Sequence, residues 1–390
     1  MPTAVREVEA SDLPIRLEVA TRYQRALILF RWHGVPVAQA ELPVRHGYLE
    51  SEDLVAALAD QAGPRITSLE ARRYLGLACS AIGVSQPPCS VAVCTRDRAE
   101  DLARVLTALA SLPDDGQEIL VIDSASTSDS TRELVAAHPK VRYVREEVPG
   151  LDRARNRAIR EARHDIVAFT DDDAVPDRGW LRALAANFAD PRTACVTGLT
   201  MPLELETPAQ EWFERTNGFG RGFWRTVFDG IECDPFFVSR VGAGANMALR
   251  RSACTVVGPF DPALDAGTPT KSGGDHDMFG RILAAGFRIV YEPTALSWHR
   301  HRREWSELEA AMYGYGVGVY AYLTRQFLAG ETRAPVVALR WLPWQLRQLA
   351  RGLLGRPGAM PPGLALAELR GCVVGPFAYW RSARREGKRP

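Results

Sequence analysis

The sequence predicts an α/β fold: a mostly parallel sheet flanked by helices, with a small α+β segment before it and a helical region after it. Short apolar runs alternate with helical patterns, which is typical of a parallel sheet with right-handed crossovers. The linker Gln86-Pro-Pro88 precedes the first run, and helical patterns follow the last one. We therefore expect three parts: an appendage at 1–86, an α/β domain at 87–302 and a helical region at 303–390.

The composition excludes several classes of protein. The 390 residues include 48 basic and 47 acidic side chains, so a net charge of +1 offers no overall attraction to nucleic acid. The seven cysteines are scattered without a Cys-x-x-Cys pair, which argues for reduced thiols rather than disulfides or a zinc site. No signal-peptide pattern and no run of about 18 apolar residues occur. We expect a cytoplasmic protein without a nucleic-acid partner.

The first 86 residues contain patterns for a hairpin and two helices. Arg25–Trp32 and Val37–Val44 have the composition of strands, and a Gly-Val-Pro turn joins them. Helical patterns follow at 51–60 and 69–81. No motif in this segment indicates a function.

Seven predicted elements, strands alternating with helices, precede the three carboxylates at 171–173. In chain order they are a strand at 90–94, a helix at 102–112, a strand at 118–122, a helix at 131–138, a strand at 141–144, a helix at 151–163 and a strand at 166–170. Asp97 and Glu100 fit a capping box before the first helix. Neither a G-x-G-x-x-G nor a P-loop motif follows the first strand, so bound phosphates would be held through side chains and a metal.

Three consecutive carboxylates, Asp171 to Asp173, follow the strand at 166–170 directly. Ligands of parallel sheets bind beyond the carboxyl ends of the strands. Alternation along a strand predicts that Asp171 and Asp173 face one crevice and that Asp172 faces away. Their mutual repulsion predicts a hard divalent cation, with a solvated acidic turn as the alternative. Asp123 ends another strand at the same edge, which favours a site over a chance turn.

Four segments in this order resemble the inverting family 2 glycosyltransferases. They are Ser90–Arg98, Val121–Asp129, Gly150–Asn156 and Phe169–Asp173. Each piece alone is a weak signal, whereas four pieces in this order and spacing are specific. The resemblance covers roughly residues 88–300. It implies a GT-A fold, a nucleoside-diphosphate sugar donor, an acceptor hydroxyl and Mg²⁺ or Mn²⁺.

The resemblance also implies roles for individual residues on the donor side. The nucleotide-binding residues would be Thr95, Arg98, Asp123, Arg155 and Asp171. The metal ligands would be Asp171, Asp173 and His299, with His301 as the rival histidine. The residues alone also allow Asp123 to cap the following turn and Arg155 to lie on a solvated helix face.

On the acceptor side, the resemblance points to Val241–Arg250 and Ser272–Leu283. From these segments Gly244, Asn246 and Asp277 would face the acceptor, and Asp275 would be the general base, with Asp277 as its rival. The family opens the helix of the second segment with an acidic pair, and here Gly274 replaces its first member. One base with in-line displacement implies inversion of the sugar. Without that chemistry Asp275 would be a helix N-cap, and His276 is expected to be exposed.

The region after residue 302 combines helical patterns with tryptophan and arginine. Trp341 and Trp344 lie among three arginines, and Trp380 precedes a basic tail. This combination is typical of a membrane interface, and also of an ordinary helix packed on the neighbouring domain. The first alternative is a hypothesis: the region makes peripheral contact with the inner membrane face, near a lipid-linked acceptor.

Two other functions are compatible with the sequence. Phe169–Val175 also fits the nucleophile motif of haloacid-dehalogenase phosphatases, although that motif belongs on a first strand and here lies on the fourth. Gly274 keeps open a catalytically inactive homologue that only binds nucleotide sugars. The leading prediction is a metal-dependent inverting glycosyltransferase that acts on a glycan, lipid-linked or secondary-metabolite hydroxyl.

Overall fold

The computed structural model describes residues 2–77, 86–356 and 358–387. The strands are β1 (Thr3–Glu9), β2 (Arg16–Glu18), β3 (Arg25–Trp32), β4 (Val35–Pro43), β5 (Tyr48–Glu50), β6 (Cys89–Thr95), β7 (Glu118–Ser124), β8 (Val141–Glu146), β9 (Ile166–Asp171), β10 (Ala174–Pro176), β11 (Thr193–Pro202), β12 (Thr226–Asp229), β13 (Asn246–Arg250) and β14 (Arg288–His299). The α-helices are α1 (Ser51–Tyr74), α2 (Ala99–Ala110), α3 (Ser130–Ala136), α4 (Leu151–Glu161), α5 (Trp180–Ala185), α6 (Pro208–Asn217), α7 (Arg251–Val257), α8 (Gly274–Ala284), α9 (Trp305–Leu328), α10 (Ala334–Leu353) and α11 (Pro362–Arg385).

A nine-stranded sheet forms the centre, in the order β10-β14-β11-β13-β9-β6-β7-β8, with β12 paired to β14. β6 is parallel to both β7 and β9, and β7 is parallel to β8. β13 runs antiparallel to its neighbours β9 and β11. The four strands expected from the alternating pattern thus form the parallel half. There Thr95 pairs with Asp123 and Cys94 with Asp171, so these strands end at one edge.

Helices cover both faces of the sheet and bury its apolar side chains. On one face, α2 and α5 pack on the strands around the fully buried Trp180. On the other face, α4 and α8 contribute Ala154, Ala158 and Phe279 to a second core. α4 and α8 lie in this same layer, and their first turns meet, because Asp152 of α4 lies against Gly274 of α8.

The N-terminal segment is α+β, as predicted. Its sheet has the order β1-β3-β4, in which β3 and β4 form the expected antiparallel hairpin, and α1 packs on it. Leu27 and Leu29 of β3 pack instead against side chains of β11 and β14, including Leu199 and Leu296. The N–H of Thr3 also donates to the carbonyl of Leu205 at 2.8 Å. The appendage is therefore packed on the central sheet, while its boundary at residue 86 stays a prediction.

Three long helices follow the sheet, as the sequence predicted. α9 and α11 pack so closely that a Cβ on Gly316 would lie 2.2 Å from the carbonyl oxygen of Glu368. A Cβ on Gly371 would likewise lie 2.2 Å from the carbonyl oxygen of Tyr313. Between residues 2 and 387, apart from 78–85 and 357, we find no helix with the length and apolar character needed to cross a membrane.

Two local predictions are wrong. The patterns at 51–60 and 69–81 belong to one helix, α1, up to Tyr74, and residues 78–81 lie outside the described part of the chain. The capping box at Asp97 does not form, because that residue has a φ of 54° and precedes the N-cap, Arg98. Its carboxylate accepts from the N–H of Thr127 at 2.7 Å, which ties the turn after β6 to the turn after β7.

Candidate active site

A cavity of about 430 Å³ opens at the edge of the sheet where β6 and β9 end. Its walls come from the turn after β6, the first turns of α4 and α8, the segment before β13, the end of β14 and one side of α9. Eight residues predicted from the sequence line it: Thr95, Arg98, Arg155, Asp171, Asp173, Gly244, Asp275 and His299. The volume is typical of a small-molecule site.

Asp171 and Asp173 meet His299 in this cavity. One ligand atom from each of the three residues lies within 4.8 Å of the others, an arrangement that could hold a metal ion. Burial raises the pKa of Asp171, and the neighbouring charge of Asp173 adds to that rise. Burial would also raise the pKa of Asp173, but His299 and Arg98 lower it overall. Two carboxylates with one imidazole suit a divalent cation that accepts both oxygen and nitrogen ligands.

Asp172 does not face away from the site, as the strand alternation predicted. β9 ends at Asp171, so the alternation stops there and Asp172 lines the cavity. Its carboxylate accepts from the hydroxyl of Thr95 at 2.8 Å and from Nη1 of Arg98 at 2.6 Å. Burial raises the pKa of Asp172 to about 7. Arg98 also contacts Oδ2 of Asp173 at 3.0 Å, so one guanidinium bridges two members of the triplet.

His299 and His301 both line the cavity, but they have different partners. Nε2 of His299 lies 3.3 Å from Oδ1 of Asp173, whereas Nε2 of His301 lies 2.9 Å from Oε2 of Glu214. Their Nδ1 atoms are 3.2 Å apart. Burial lowers the pKa of His301, which is 3% exposed. His299 is therefore the histidine beside the carboxylates, and His301 lies behind it.

Asp275 reaches the cavity from the first turn of α8. Its Oδ2 accepts from the N–H of Gly244 at 3.0 Å, and its Oδ1 accepts from the N–H of His276 at 2.8 Å. Burial would raise the pKa of Asp275, but His276 and Arg155 lower it overall. The side chain is therefore a carboxylate at neutral pH, and it faces the same space as the acidic triplet.

The prediction that His276 is exposed is wrong. Its ring lines the cavity, and its Nδ1 lies 3.0 Å from Oδ1 of Asp275. Burial works to lower the pKa of His276, but the charge of Asp275 outweighs it and raises the pKa. The two side chains thus stabilise each other's charged forms.

Arg155 is buried at the floor of the cavity between two carboxylates. Its Nη1 donates to Asp152 at 3.0 Å and to Asp265 at 2.8 Å. Burial would lower the pKa of Arg155, but Asp265 and Asp152 raise it overall. The alternative of a solvated helix face is therefore wrong. The other oxygen of Asp152, Oδ2, has no hydrogen-bond partner among the described residues, and it lies beside Gly274.

Asp123 lies one residue before the end of β7, at the expected edge, but does not line the cavity. Its Oδ2 accepts from the hydroxyl of Tyr143 at 2.6 Å and from Nη1 of Arg145 at 3.2 Å. Its Oδ1 accepts from the N–H of Ser126 at 2.9 Å. The geometry therefore matches the alternative of a cap on the following turn.

Asn246 and Asp277, both predicted on the acceptor side, are fully buried outside the cavity. Asn246 accepts from the indole N–H of Trp180 at 2.8 Å and donates to two backbone carbonyls. Asp277 pairs with Arg281 at 2.8 Å and with Arg325 at 3.0 Å. Neither side chain reaches the cavity, because both are committed to the interior of the protein.

Four cationic residues of the cavity were missed in the sequence: Arg96, Arg221, Lys271 and Arg302. Arg221 donates to the carbonyl oxygens of Gly218 and Ser239, each at 2.9 Å, and no carboxylate in the described part of the chain pairs with it. Arg302 lies 3.9 Å from Asp173. The basic run that follows the last strand was a usable signal for Arg302. Arg221 and Lys271 lie in loops without a motif.

Residues 90–257 match the family model described as glycosyl transferase family 2. Two curated relatives, each a pre-mycofactocin glycosyltransferase from a strain of Mycobacterium tuberculosis, are 29% identical over 275 residues, which is 70% of this chain and 55% of the relative. A probable N-acetylgalactosaminyltransferase 9 from Caenorhabditis elegans is 29% identical over 168 residues, 38% of this chain and 28% of the relative. The chain spans about half the length of the first two relatives.

Among solved structures, the chain resembles a mannosyltransferase from Pyrobaculum calidifontis in complex with GDP-mannose and Mn²⁺. The TM-score is 0.51 at 18% sequence identity, and the match covers 83% of this chain and 97% of the other. At this identity the likeness concerns the fold. The fold is GT-A, as predicted, so the haloacid-dehalogenase alternative is not retained.

Proposed function

We propose that this chain, which carries a family 2 glycosyltransferase domain over residues 90–257, transfers a sugar from a nucleoside-diphosphate sugar to a hydroxyl group with inversion. One observation carries the proposal: two kinds of group meet in a single cavity. Asp171, Asp173 and His299 form a cluster suited to a cation, and the carboxylate of Asp275 faces the same space. Such a transfer needs both a binding place for the diphosphate and a base for the acceptor.

Mn²⁺ or Mg²⁺ is the proposed metal, held by Asp171, Asp173 and His299. The spread of their ligand atoms supports this assignment, and the similar solved structure from Pyrobaculum calidifontis is a complex with GDP-mannose and Mn²⁺. When bound, the ion supplies positive charge that stabilises the departing diphosphate. Arg98, at 3.0 Å from Asp173, fixes the carboxylate that we expect to be the direct ligand.

The cations of the cavity form the rest of the proposed diphosphate site. Arg221 is the strongest candidate, because its guanidinium bonds to backbone carbonyls and keeps its full charge for an anion. Lys271 and Arg302 lie on the same lining. Thr95 lies at the end of β6 beside Asp172, where the nucleoside would begin.

Asp275 is the proposed general base. It would take the proton of the acceptor hydroxyl as the oxygen bonds to the anomeric carbon. The bond from that carbon to the diphosphate oxygen breaks at the same time, and its electron pair leaves with the nucleoside diphosphate. Attack from the face opposite the leaving group inverts the sugar. The N–H of Gly244 and the ring of His276 hold the two oxygens of Asp275 in place.

The acceptor would enter along the segment Gly242–Ala245, which lines the cavity next to Asp275. A Cβ on Gly244 would lie 3.0 Å from Cβ of Asp275 and 2.9 Å from Nη2 of Arg155, so even an alanine would crowd this place. The acceptor would be a glycan, a lipid-linked molecule or a secondary metabolite. The second of these would bring the chain to a membrane surface.

A donor screen tests the proposal. The protein is incubated with Mn²⁺ and UDP-glucose, UDP-N-acetylgalactosamine or GDP-mannose, and released nucleoside diphosphate is measured with and without a chelator. We expect release from at least one donor, lost with the chelator and in Asp173→Ala, and kept in Asp129→Ala, an exposed carboxylate outside the cavity. Binding of a donor without release under any condition would instead indicate an inactive homologue.

A further inference from the structure

The helices α10 and α11 leave many large apolar side chains exposed. A helix on a water-soluble protein normally buries its apolar stripe. In α10 the two buried residues are Ala334 and Gln345, and the amide of Gln345 lies 2.8 Å from Sγ of Cys372 on α11. Six large apolar side chains of α10 are exposed instead. They are Val336, Leu339, Leu342, Trp344, Leu346 and Leu353.

α11 presents a second row of exposed apolar side chains. They are Leu366, Val373, Val374, Phe377 and Trp380. Phe377 is 72% exposed and Leu339 on α10 is 67% exposed. We call the exposed apolar residues of both helices the C-terminal face. Apolar surface of this extent on a soluble domain marks a place of interaction.

The charges around the C-terminal face have one sign. Seven arginines are exposed on the two helices: Arg340, Arg347, Arg351, Arg370, Arg381, Arg384 and Arg385. α10 contains no acidic residue, and Glu368 of α11 is partly buried beneath the surface. None of the seven arginines forms an ion pair with a described residue. The guanidinium of Arg384 instead lies 3.7 Å from the ring centroid of Trp380.

We propose that the C-terminal face docks on the surface of an anionic lipid bilayer. Apolar side chains would enter the interface between headgroups and acyl chains, and the arginines would pair with lipid phosphates. A second copy of this chain is a poorer occupant, because pairing through this face would bring two sets of unpaired arginines together. Tryptophan with arginine at the edges of an apolar row fits the interface region in particular.

The C-terminal face is connected to the wall of the cavity through α9. On one side α9 lines the cavity with Ala311, Tyr315 and Val319. On its other side Gly316 contacts the backbone of α11. On the cavity side, a Cβ on Gly318 would lie 1.9 Å from Oγ of Ser272, which also lines the cavity. These backbone contacts leave little freedom between the face and the cavity. A bound bilayer would thus hold the acceptor side at a fixed orientation, a consequence that rests on the proposed transfer.

Flotation with vesicles tests the docking without any assay of transfer. The full chain is mixed with vesicles of phosphatidylcholine, with or without phosphatidylglycerol, and floated on a density gradient. We expect the protein to float with the anionic vesicles and to be released at high salt. Recovery in the soluble fraction with both kinds of vesicle, or equal flotation with both, would overturn the proposal.

Two sets of variants sharpen this test. Leu339→Glu with Phe377→Glu should abolish flotation, whereas the matched control Ile231→Glu with Val256→Glu, at exposed apolar residues elsewhere, should float like the parent. Arg347→Gln and Arg351→Gln leave the apolar row intact, and each should weaken binding about five-fold. A dimer in solution that Leu339→Glu dissociates would instead identify a second copy as the occupant and contradict the proposal. Donor turnover in solution, measured on the same samples, reports separately on the proposed function.

Discussion

Oδ2 of Asp152 occupies the space beside Gly274, and a Cβ on residue 274 would lie 2.1 Å from it. The two residues are thus mutually dependent: a side chain at 274 and this position of Asp152 exclude each other. Asp152 is fully buried, and its other oxygen holds Arg155 at 3.0 Å. Gly274, which departs from the family pattern, therefore leaves the space that the carboxylate of Asp152 from α4 occupies.

A double-mutant cycle should reveal this dependence. Gly274→Ala alone should destabilise the protein by about 1–3 kcal/mol, because the added methyl group overpacks a filled site. In the background of Asp152→Ala the same change should cost much less, since the obstructing oxygen is gone. Thermal or urea unfolding of the four proteins measures the coupling. Additive effects would show that the two residues do not compete for this space.

Asp275→Asn and Asp277→Asn should separate chemistry from stability. Asp275→Asn should remove sugar transfer and lower the Tm less than Asp277→Asn does, because Asp275 lines the cavity whereas Asp277 is fully buried. Asp277→Asn should lower stability by about 3 kcal/mol or more, since it leaves Arg281 and Arg325 without their buried carboxylate. Turnover and thermal unfolding on both variants check this. The reverse pattern would make Asp277 the base.

The pair Asp275–His276 predicts the form of the pH profile. The pKa of Asp275 is lowered from 3.8, so its carboxylate persists as pH falls to that range, and the acid limb of kcat/KM should lie below it. The pKa of His276 is raised from 6.5, so its stabilising charge is present below 6.5 and is lost as pH rises through the raised value. His276→Gln removes this cation and should move the acid limb to higher pH.

Rate profiles of the parent, His276→Gln and the control His138→Gln measure that shift. His138 follows the end of α3 and does not line the cavity, and its Nδ1 lies 2.9 Å from the carbonyl oxygen of Leu134. Identical acid limbs in all three proteins would mean that His276 does not set the charge of the base.

Metal binding should depend on His299 more than on His301. His299→Ala removes a group of the three-residue cluster, so the rise in Tm on adding Mn²⁺ should be lost. His301→Asn should keep the rise but weaken the affinity for Mn²⁺. A change in a residue that supports a metal ligand typically lowers metal affinity about 10- to 100-fold. Thermal shift against Mn²⁺ concentration measures both. Loss of the rise only in His301→Asn would reverse the assignment.

The sequence predicted the strands that lead to the cavity, because continuous apolar runs such as Val91–Val93 are buried on both faces of the sheet. It misplaced Asp172, because alternation holds only within a strand and β9 ends one residue earlier. It paired Asp275 with Asp277 as rivals, although residues two apart on a helix point to different sides. Both errors come from judging the direction of a side chain from sequence spacing without knowing where the strand ends and the helix begins.

Other features depended on contacts between distant segments, which a single sequence does not contain. Asn246 accepts a hydrogen bond from Trp180 of α5, and Asp123 accepts one from Tyr143 of the neighbouring strand β8. Arg221 lines the cavity only because its loop packs on β14, where the N–H of Arg221 donates to the hydroxyl of Tyr291 at 3.2 Å. No periodicity or motif marks such long-range partners.

The division of roles between Asp173 and Asp275 is the centre of the account, and calorimetry of nucleoside diphosphate with Mn²⁺ tests it most directly. The donor base identified in the screen determines which nucleoside diphosphate is titrated. We predict that Asp173→Ala abolishes measurable binding, because it loses the metal and the diphosphate together. Asp275→Asn should bind the nucleotide within a few-fold of the parent while transferring no sugar. Equal loss of nucleotide affinity in both variants would contradict the account.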